Sequence, residues 1–325
     1  MRAIVVDRPG GPEMLRMGEI PDVAPGPDEL LVRVRATALN RLDLMQREGN
    51  YPVPSGAPET LGVEMAGEVV DWGQDVQGWT RGARVCALLL GGGYAEYTTV
   101  PSGMVIPLPD RLTFEQGAAI PEVFLTAYLN LFQLGELREG GYALIHAGAS
   151  GVGTAAIQLV REAGAHPIVT AGTPEKLARC RELGAVAAID YHDGPFTETV
   201  LAATGGRGVD VILDMVGAPY WGQNVACLAR RGRLIIVSSQ GGRKVEVDLG
   251  ALQGKLARVI GSMLRPLPLV EKIALTTAFS AFALPRFADG RLVAVIDSVY
   301  PLAEAAEAHR RMESNANIGK IVLRV

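Results

Sequence analysis

"YALIHAGASGVGTAAIQLV", residues 142–160, runs an apolar stretch into a turn of small residues and then into a helical pattern. Leu144 and Ile145 end the expected strand, Thr154 to Arg161 open the helix, and Gly148-Ala149-Ser150-Gly151-Val152-Gly153 forms the turn between them. This order departs from the G-x-G-x-x-G fingerprint by placing Ser150 at the middle glycine. Small residues let the backbone approach a pyrophosphate closely, so that its charge meets free N–H groups and the positive end of the helix dipole. Ser150 keeps that approach open and adds a hydroxyl able to donate to phosphate. A tight strand-to-helix turn with no ligand is the plainer reading of the same residues, and the context on either side argues against it.

From residue 122 onward, strands alternate with helices. Strands are expected at Tyr142 to Ala147, Pro167 to Ala171, Ala187 to Asp190, Val209 to Met215, Arg233 to Ser238 and Val259 to Leu264. Such alternation predicts parallel βαβ units, and six strands complete a Rossmann-type doubly wound α/β sheet. Before residue 122 the rhythm differs: "AIVVD", "ELLVRVRATALN", "GEVVDWG", "ARVCALLL" and "YAEYTTVP" are short β-rich pieces punctuated by Gly and Pro. These predict an irregular, partly closed β domain. The tail from Ala294 returns to strand, helix, strand and is expected to rejoin that domain. The expected division is residues 1–121 completed by 266–325, with 122–265 as the nucleotide-binding domain.

The end of the second parallel strand should reveal the nucleotide. An NAD site places an acid there for the ribose 2′-hydroxyl, whereas this stretch reads "IVTAGTPEK". Ala171, Gly172 and Thr173 offer no carboxylate, Lys176 lies just beyond, and Tyr191 follows the third strand. A 2′-phosphate would be accepted there and paired with Lys176, which favours NADP(H). The alternatives are a solvated first-turn lysine and a neighbouring Glu175 that faces the same region.

Composition narrows the function further. A net charge of -4 without clustered Lys or Arg argues against nucleic acid. Three scattered cysteines, Cys86, Cys180 and Cys227, match neither a disulfide framework nor a zinc site and suit reduced cytoplasmic thiols. "MRAIVVDRPGG" carries no signal-peptide pattern, and the apolar "LVEKIALTTAFSAFAL" at 269–284, interrupted by Glu271 and Lys272, reads as a buried or interface helix and not as a membrane span. His146, His166, His192 and His309 do not cluster as metal ligands. "GASGVG" is no nucleophile elbow either. The expected catalysis is hydride transfer by the cofactor itself, with no metal.

"LNRLDLMQREGNYPVP", "LGVEMAGEVVDWG", "HAGASGVGTAAIQL" and "NANIGKIVL" resemble the zinc-free quinone oxidoreductases of the medium-chain dehydrogenase/reductase superfamily. The likeness runs through the whole chain. "PGGPE", "ALNRLDLMQR", "GGGYAEY" and "YW" bring it close to the p53-inducible branch. Where zinc-containing relatives carry a cysteine this chain has Asn40, and where they carry the histidine of Gly-His-Glu it has Val63. The resemblance implies a GroES-like catalytic domain, a Rossmann domain and NADPH in the cleft between them. It places Asn40 and Thr126 near the nicotinamide. Ser150, Gly151 and Val152 would cradle the pyrophosphate, and Gly172, Lys176 and Tyr191 would surround the 2′-phosphate. Ser238, Ser239, Met263, Leu264 and Asn317 would complete the cofactor wall. It also implies a homodimer joined through "RVIGSMLRP", which would cover an exposed sheet edge.

Tyr51, in "NYPVP", offers a flat apolar face for a quinone and a hydroxyl for its oxygen; packing on the cofactor ribose is the alternative. Asp43 stands either as an acid near Asn40 or as the cap of a short helix. The leading expectation is an NADPH-dependent reductase of quinones. The rivals are an enoyl or alkenal double-bond reductase and, from another class, a non-enzymatic NADPH-binding sensor or RNA binder.

Overall fold

The computed structural model describes residues 1–325. They form two compact units, one of Met1–Leu125 with Arg265–Val325 and one of Thr126–Leu264. In chain order the first unit contributes strands β1 (Arg2–Val6), β2 (Leu15–Glu19), β3 (Glu29–Ala38), β4 (Glu64–Trp72), β5 (Arg84–Leu88), β6 (Tyr97–Pro101) and β7 (Val105–Pro107). The second contributes β8 (Tyr142–Ile145), β9 (His166–Ala171), β10 (Ala187–Asp190), β11 (Val209–Asp214), β12 (Leu228–Ile236) and β13 (Arg258–Gly261). The chain then returns to the first unit with β14 (Ile296–Pro301) and β15 (Lys320–Arg324).

In the second unit all strands pair in parallel, in the order β10-β9-β8-β11-β12-β13. This is the doubly wound Rossmann order, in which the strand path reverses beside β8 and leaves a ligand crevice at the carboxyl ends of the strands. Ile145, Ile168, Ile212 and Leu234 are fully buried, as strands covered on both faces require. Several boundaries differ from the sequence reading: β8 ends at Ile145 and not at Ala147, β12 ends at Ile236 and not at Ser238, and β13 spans Arg258–Gly261 and not Val259 to Leu264. The largest difference is at the start of β12. β12 begins at Leu228 and not at Arg233, and Arg231 takes a left-handed φ of 65° where the β11–β12 register shifts. The irregularity at Arg231 and Gly232 sits inside the strand, so the residues before Arg233 carry no clean alternation.

The first unit is built on a seven-stranded sheet ordered β14-β15-β3-β4-β5-β7, with β6 also paired to β3. β3 is its spine, burying Leu30, Val32, Val34 and Ala36 by alternation while its two ends serve different partners. Its first half pairs with β6, and its last residues pair with β15, Ala38 opposite Val322. Thr37 lies opposite Met65 of β4, so Asn40, Glu64 and Lys320 arrive at one place from three strand ends. The stretch that tempted a membrane reading is the helix Leu269–Asp289, which buries Lys272, Leu275, Thr276, Phe279, Ala283 and Phe287 along one face. Phe279 and Phe287 pack on Phe124, with ring centroids 6.2 and 5.1 Å away. No helix is long and apolar enough to cross a membrane.

The tail is anchored by a buried histidine. His309, on the helix Ala305–Glu313, accepts from Arg47 at 3.2 Å and meets the Tyr94 hydroxyl at 3.3 Å. Burial first, and Arg47 second, push its imidazole down to about 3. The unfolded imidazole binds a proton near ~6.5 while the folded one resists until about 3, so this stabilisation is complete above ~6.5 and is lost as pH falls through that window. Urea unfolding at pH 7 and pH 5 should show His309→Gln losing about 2 kcal/mol less than the parent protein over that interval.

Candidate active site

The meeting point of β3, β4 and β15 is polar and almost closed to water. Lys320 Nζ lies 2.7 Å from Glu64 Oε1, and both side chains are buried. Asn40 bridges them: its Oδ1 accepts from Lys320 Nζ at 2.7 Å, and its Nδ2 donates to Glu64 Oε1 at 2.8 Å and to the Ala38 carbonyl at 3.3 Å. The flanking charges set the amide orientation, because a flipped amide would face NH2 to an ammonium and oxygen to a carboxylate.

Asp43 sits one turn further on. Its Oδ2 accepts from the Asn40 N–H at 2.8 Å, closing a capping box at the helix Arg41–Arg47, and its Oδ1 accepts from Gly62 N–H at 3.1 Å. Burial pushes its carboxyl up to about 6, opposed by those two amides. Glu122, half-buried, donates its backbone N–H to Glu64 Oε2 at 2.8 Å. Burial, and then the charge of Glu64, raise its carboxyl to about 7. No group of three or more His, Cys, Asp or Glu side chains is arranged to hold a metal ion. Tyr51 is half-buried, with the Arg265 guanidinium 5.4 Å from its ring centroid. Burial raises its phenol above the ordinary value, against the pull of Arg265.

The second unit holds the glycine turn. Ser150 is the N-cap of the helix Gly151–Glu162, its Oγ accepting from Gly153 N–H at 3.0 Å while its own proton stays available for donation. The Gly151 and Val152 amides begin the helix and have no carbonyl of that helix to donate to. Gly153 is required by close approach, since a Cβ there would lie 2.4 Å from the Ala147 carbonyl oxygen. The turn thus fits a pyrophosphate.

At the end of β9, a Cβ on Gly172 would lie 2.3 Å from the Tyr191 hydroxyl oxygen, so the missing side chain lets that phenol close over the strand end. Thr173 caps the next helix through the Lys176 amide, which puts Lys176 in its first turn. Asp190 is the nearest acid in the chain before Tyr191, and its carboxylate is turned back onto His192, accepting from the His192 N–H and facing Nδ1, both at 2.9 Å.

The remaining expected wall residues lie at several places. Ser238 and Ser239 follow β12, where Ser239 packs against Gly217 and Ser238 N–H reaches the Asp214 carbonyl. Met263 is exposed, Leu264 and Thr126 are buried, and Asn317 donates to the Gly319 carbonyl. Ser150, Gly151 and Val152 therefore form one group, Gly172, Lys176 and Tyr191 a second, and Asn40 and Asp43 a third in the other unit. Glu64, Glu122, Arg265 and Lys320 join the site without being among the residues that the sequence points to. In the sequence Gly62-Val63-Glu64 marks only a missing histidine, and Lys320 carries no motif, because the partners of both charges are distant in the chain. His146 also belongs to a network, between Thr170 Oγ1 at 2.9 Å and Asn224 Oδ1 at 2.7 Å, with Asn224 donating to Asp214.

Comparison with known proteins gives this geometry a family. Residues 26–110 match the alcohol dehydrogenase GroES-like domain, and residues 183–323 match the zinc-binding dehydrogenase family model. A quinone oxidoreductase of Pseudomonas aeruginosa is 37% identical over 97% of this chain and 96% of its own length. The chain belongs to the quinone oxidoreductases of the medium-chain dehydrogenase/reductase superfamily. Among solved quinone oxidoreductases, that of Escherichia coli complexed with NADPH superposes with a TM-score of 0.89 at 31% identity, over the full length of both chains. A structure described as an NAD-dependent alcohol dehydrogenase gives a TM-score of 0.88 at 33% identity, also over both full chains. The CurK enoyl reductase gives 0.86 at 27% identity, covering 99% of this chain and 98% of that one.

The ion pair is the stability determinant of the site. Lys320→Met strands the Glu64 carboxylate in a dry pocket and should cost about 3–5 kcal/mol in urea unfolding, and adding Glu64→Gln to that variant should recover part of the loss.

Proposed function

We propose that this protein is an NADPH-dependent reductase of quinones that works without a metal ion. The observation that carries the coenzyme choice is the end of β9, where Gly172, the Tyr191 phenol and the first-turn Lys176 stand in place of the carboxylate that a free ribose 2′-hydroxyl needs. The NADPH complex of the Escherichia coli relative supports the same choice.

Ser150, Gly151 and Val152 would hold the pyrophosphate, and Gly172, Lys176 and Tyr191 the 2′-phosphate. Thr126, Ser238, Ser239, Met263, Leu264 and Asn317 are the proposed remainder of the coenzyme wall, with Asn40 the polar group at the nicotinamide. When bound, NADPH supplies a hydride. The chain supplies the surroundings: Asn40 is held rigid by Lys320 and Glu64, and Asp43 fixes the Asn40 backbone through its N–H. Tyr51 presents a flat ring to a planar acceptor and a hydroxyl to the oxygen that gains electrons. The proton that completes the reduction comes from water. Names borne by relatives support quinones as the acceptor class, and the likeness to the CurK enoyl reductase favours activated double bonds as the second reading.

We further propose a homodimer. β13 is the edge of its sheet, and Val259 on it is exposed, so pairing with the same strand of a second copy would remove both edges. A cytoplasmic location suits three buried free cysteines.

Steady-state rates with NADPH and NADH across ortho-quinones, para-quinones and enones test the reading. Quinones with NADPH should give the highest kcat/KM; faster turnover of enones would move the assignment to double-bond reduction. Lys176→Ala should raise KM for NADPH roughly 10- to 100-fold, the worth of a charge-assisted contact, and leave KM for NADH nearly unchanged.

A further inference from the structure

We infer that Arg265 is the positioning residue for Tyr51, clamping the ring and making its hydroxyl a stronger donor to the oxygen of a reduced acceptor. The inference rests on Tyr51 being the acceptor-binding side chain.

Arg265 is the first residue of the segment that returns to the first unit, and it is only 6% exposed. Its Nε and Nη2 donate to the Leu90 carbonyl at 3.1 and 2.5 Å, and its Nη1 donates to Gln46 Oε1 at 3.0 Å. The guanidinium carbon lies 5.4 Å from the Tyr51 ring centroid. One side chain thereby ties together the end of the helix Arg41–Arg47, the Tyr51 loop and the loop after β5. The backbone of Arg265 is held in turn, its carbonyl accepting from the buried Lys272 ammonium at 3.1 Å.

The partners of this buried cation are a carbonyl, an amide oxygen and an aromatic face, with the carboxylates of Asp43 and Glu122 bearing on it from further away. Burying a charge against neutral partners is costly, and an apolar side chain of similar volume would pack as well. What the guanidinium adds is specific to Tyr51. A cation against the ring withdraws electron density and favours charge on the phenol oxygen. The planar fork also reaches two oxygens while keeping its charge over the ring, which the point charge of a lysine cannot do. Leu90, whose carbonyl Arg265 holds, exposes its side chain from the same loop and adds apolar surface suited to a planar acceptor.

The test labels the full-length protein with fluorotyrosine, assigns the Tyr51 resonance by its loss in Tyr51→Phe, and measures quinone kinetics for Arg265→Ala, Arg265→Lys, Tyr51→Phe and the Arg265→Ala/Tyr51→Phe double variant. Arg265→Ala should move the Tyr51 resonance and leave those of the other tyrosines in place. It should lower kcat/KM for the quinone roughly tenfold or more, yet cost under about threefold when Tyr51 is already Phe, because the two act as one unit. Arg265→Lys, which keeps the charge and serves should the alanine variant not fold, should still shift the resonance and recover only part of the rate. An unmoved resonance overturns the clamp. Losses that multiply in the double variant overturn the action through Tyr51. Wild-type quinone kinetics in Tyr51→Phe would overturn the acceptor reading itself, and the functional half of this inference with it.

Discussion

The ion pair between Lys320 and Glu64, bridged by Asn40, is the constraint on which the first unit depends. It joins residues from both ends of the chain, and each partner is affordable in the interior only because the other two are present. Asn40 could not hold a fixed amide orientation without a cation on one side and an anion on the other. Asp43 then secures the Asn40 backbone, and the Glu122 amide takes the second oxygen of Glu64. The proposed role of Asn40 at the nicotinamide would need this rigidity, because positioning errors on the scale of an ångström are expensive in rate.

The second unit meets a different demand with different means. Close approach requires absent side chains at Gly153 and Gly172, and in the proposed coenzyme site the same small residues, with Ser150, leave the backbone amides open to an anion. The buried His146–Asn224–Asp214 network lies just behind this turn and makes no charged pair through the histidine, whose pKa burial holds down. One unit is organised by charge and the other by the space that glycine leaves.

Local signals were legible in the sequence, and long-range ones were not. The strand–turn–helix around Ser150 and the six-strand alternation are properties of contiguous residues, and the observed parallel order agrees with them. The missing acid after β9 could be read in the same way. The sequence leaves Asp43 open between acid and cap, and the structure uses its carboxylate as a cap; a box closed within four residues fits a sequence pattern, but its second bond, to Gly62, does not. Lys320, Glu122 and Arg265 carry no local motif that declares their partners, since Lys320 finds Asn40 from 280 positions away and Arg265 finds Leu90 from 175. Such pairs arise from sheet pairing and chain return, which a pattern read along the chain does not contain.

The most direct measurement of the central claim is anaerobic oxidation of NADPH by a para-quinone, followed at the coenzyme's absorbance, with protein exhaustively treated with chelator. The expected result is a protein-dependent rate that neither chelation nor added zinc changes, with one quinone reduced for each NADPH consumed. A rate that disappears on chelation and returns with zinc, or no oxidation of NADPH beyond the uncatalysed background, would contradict it.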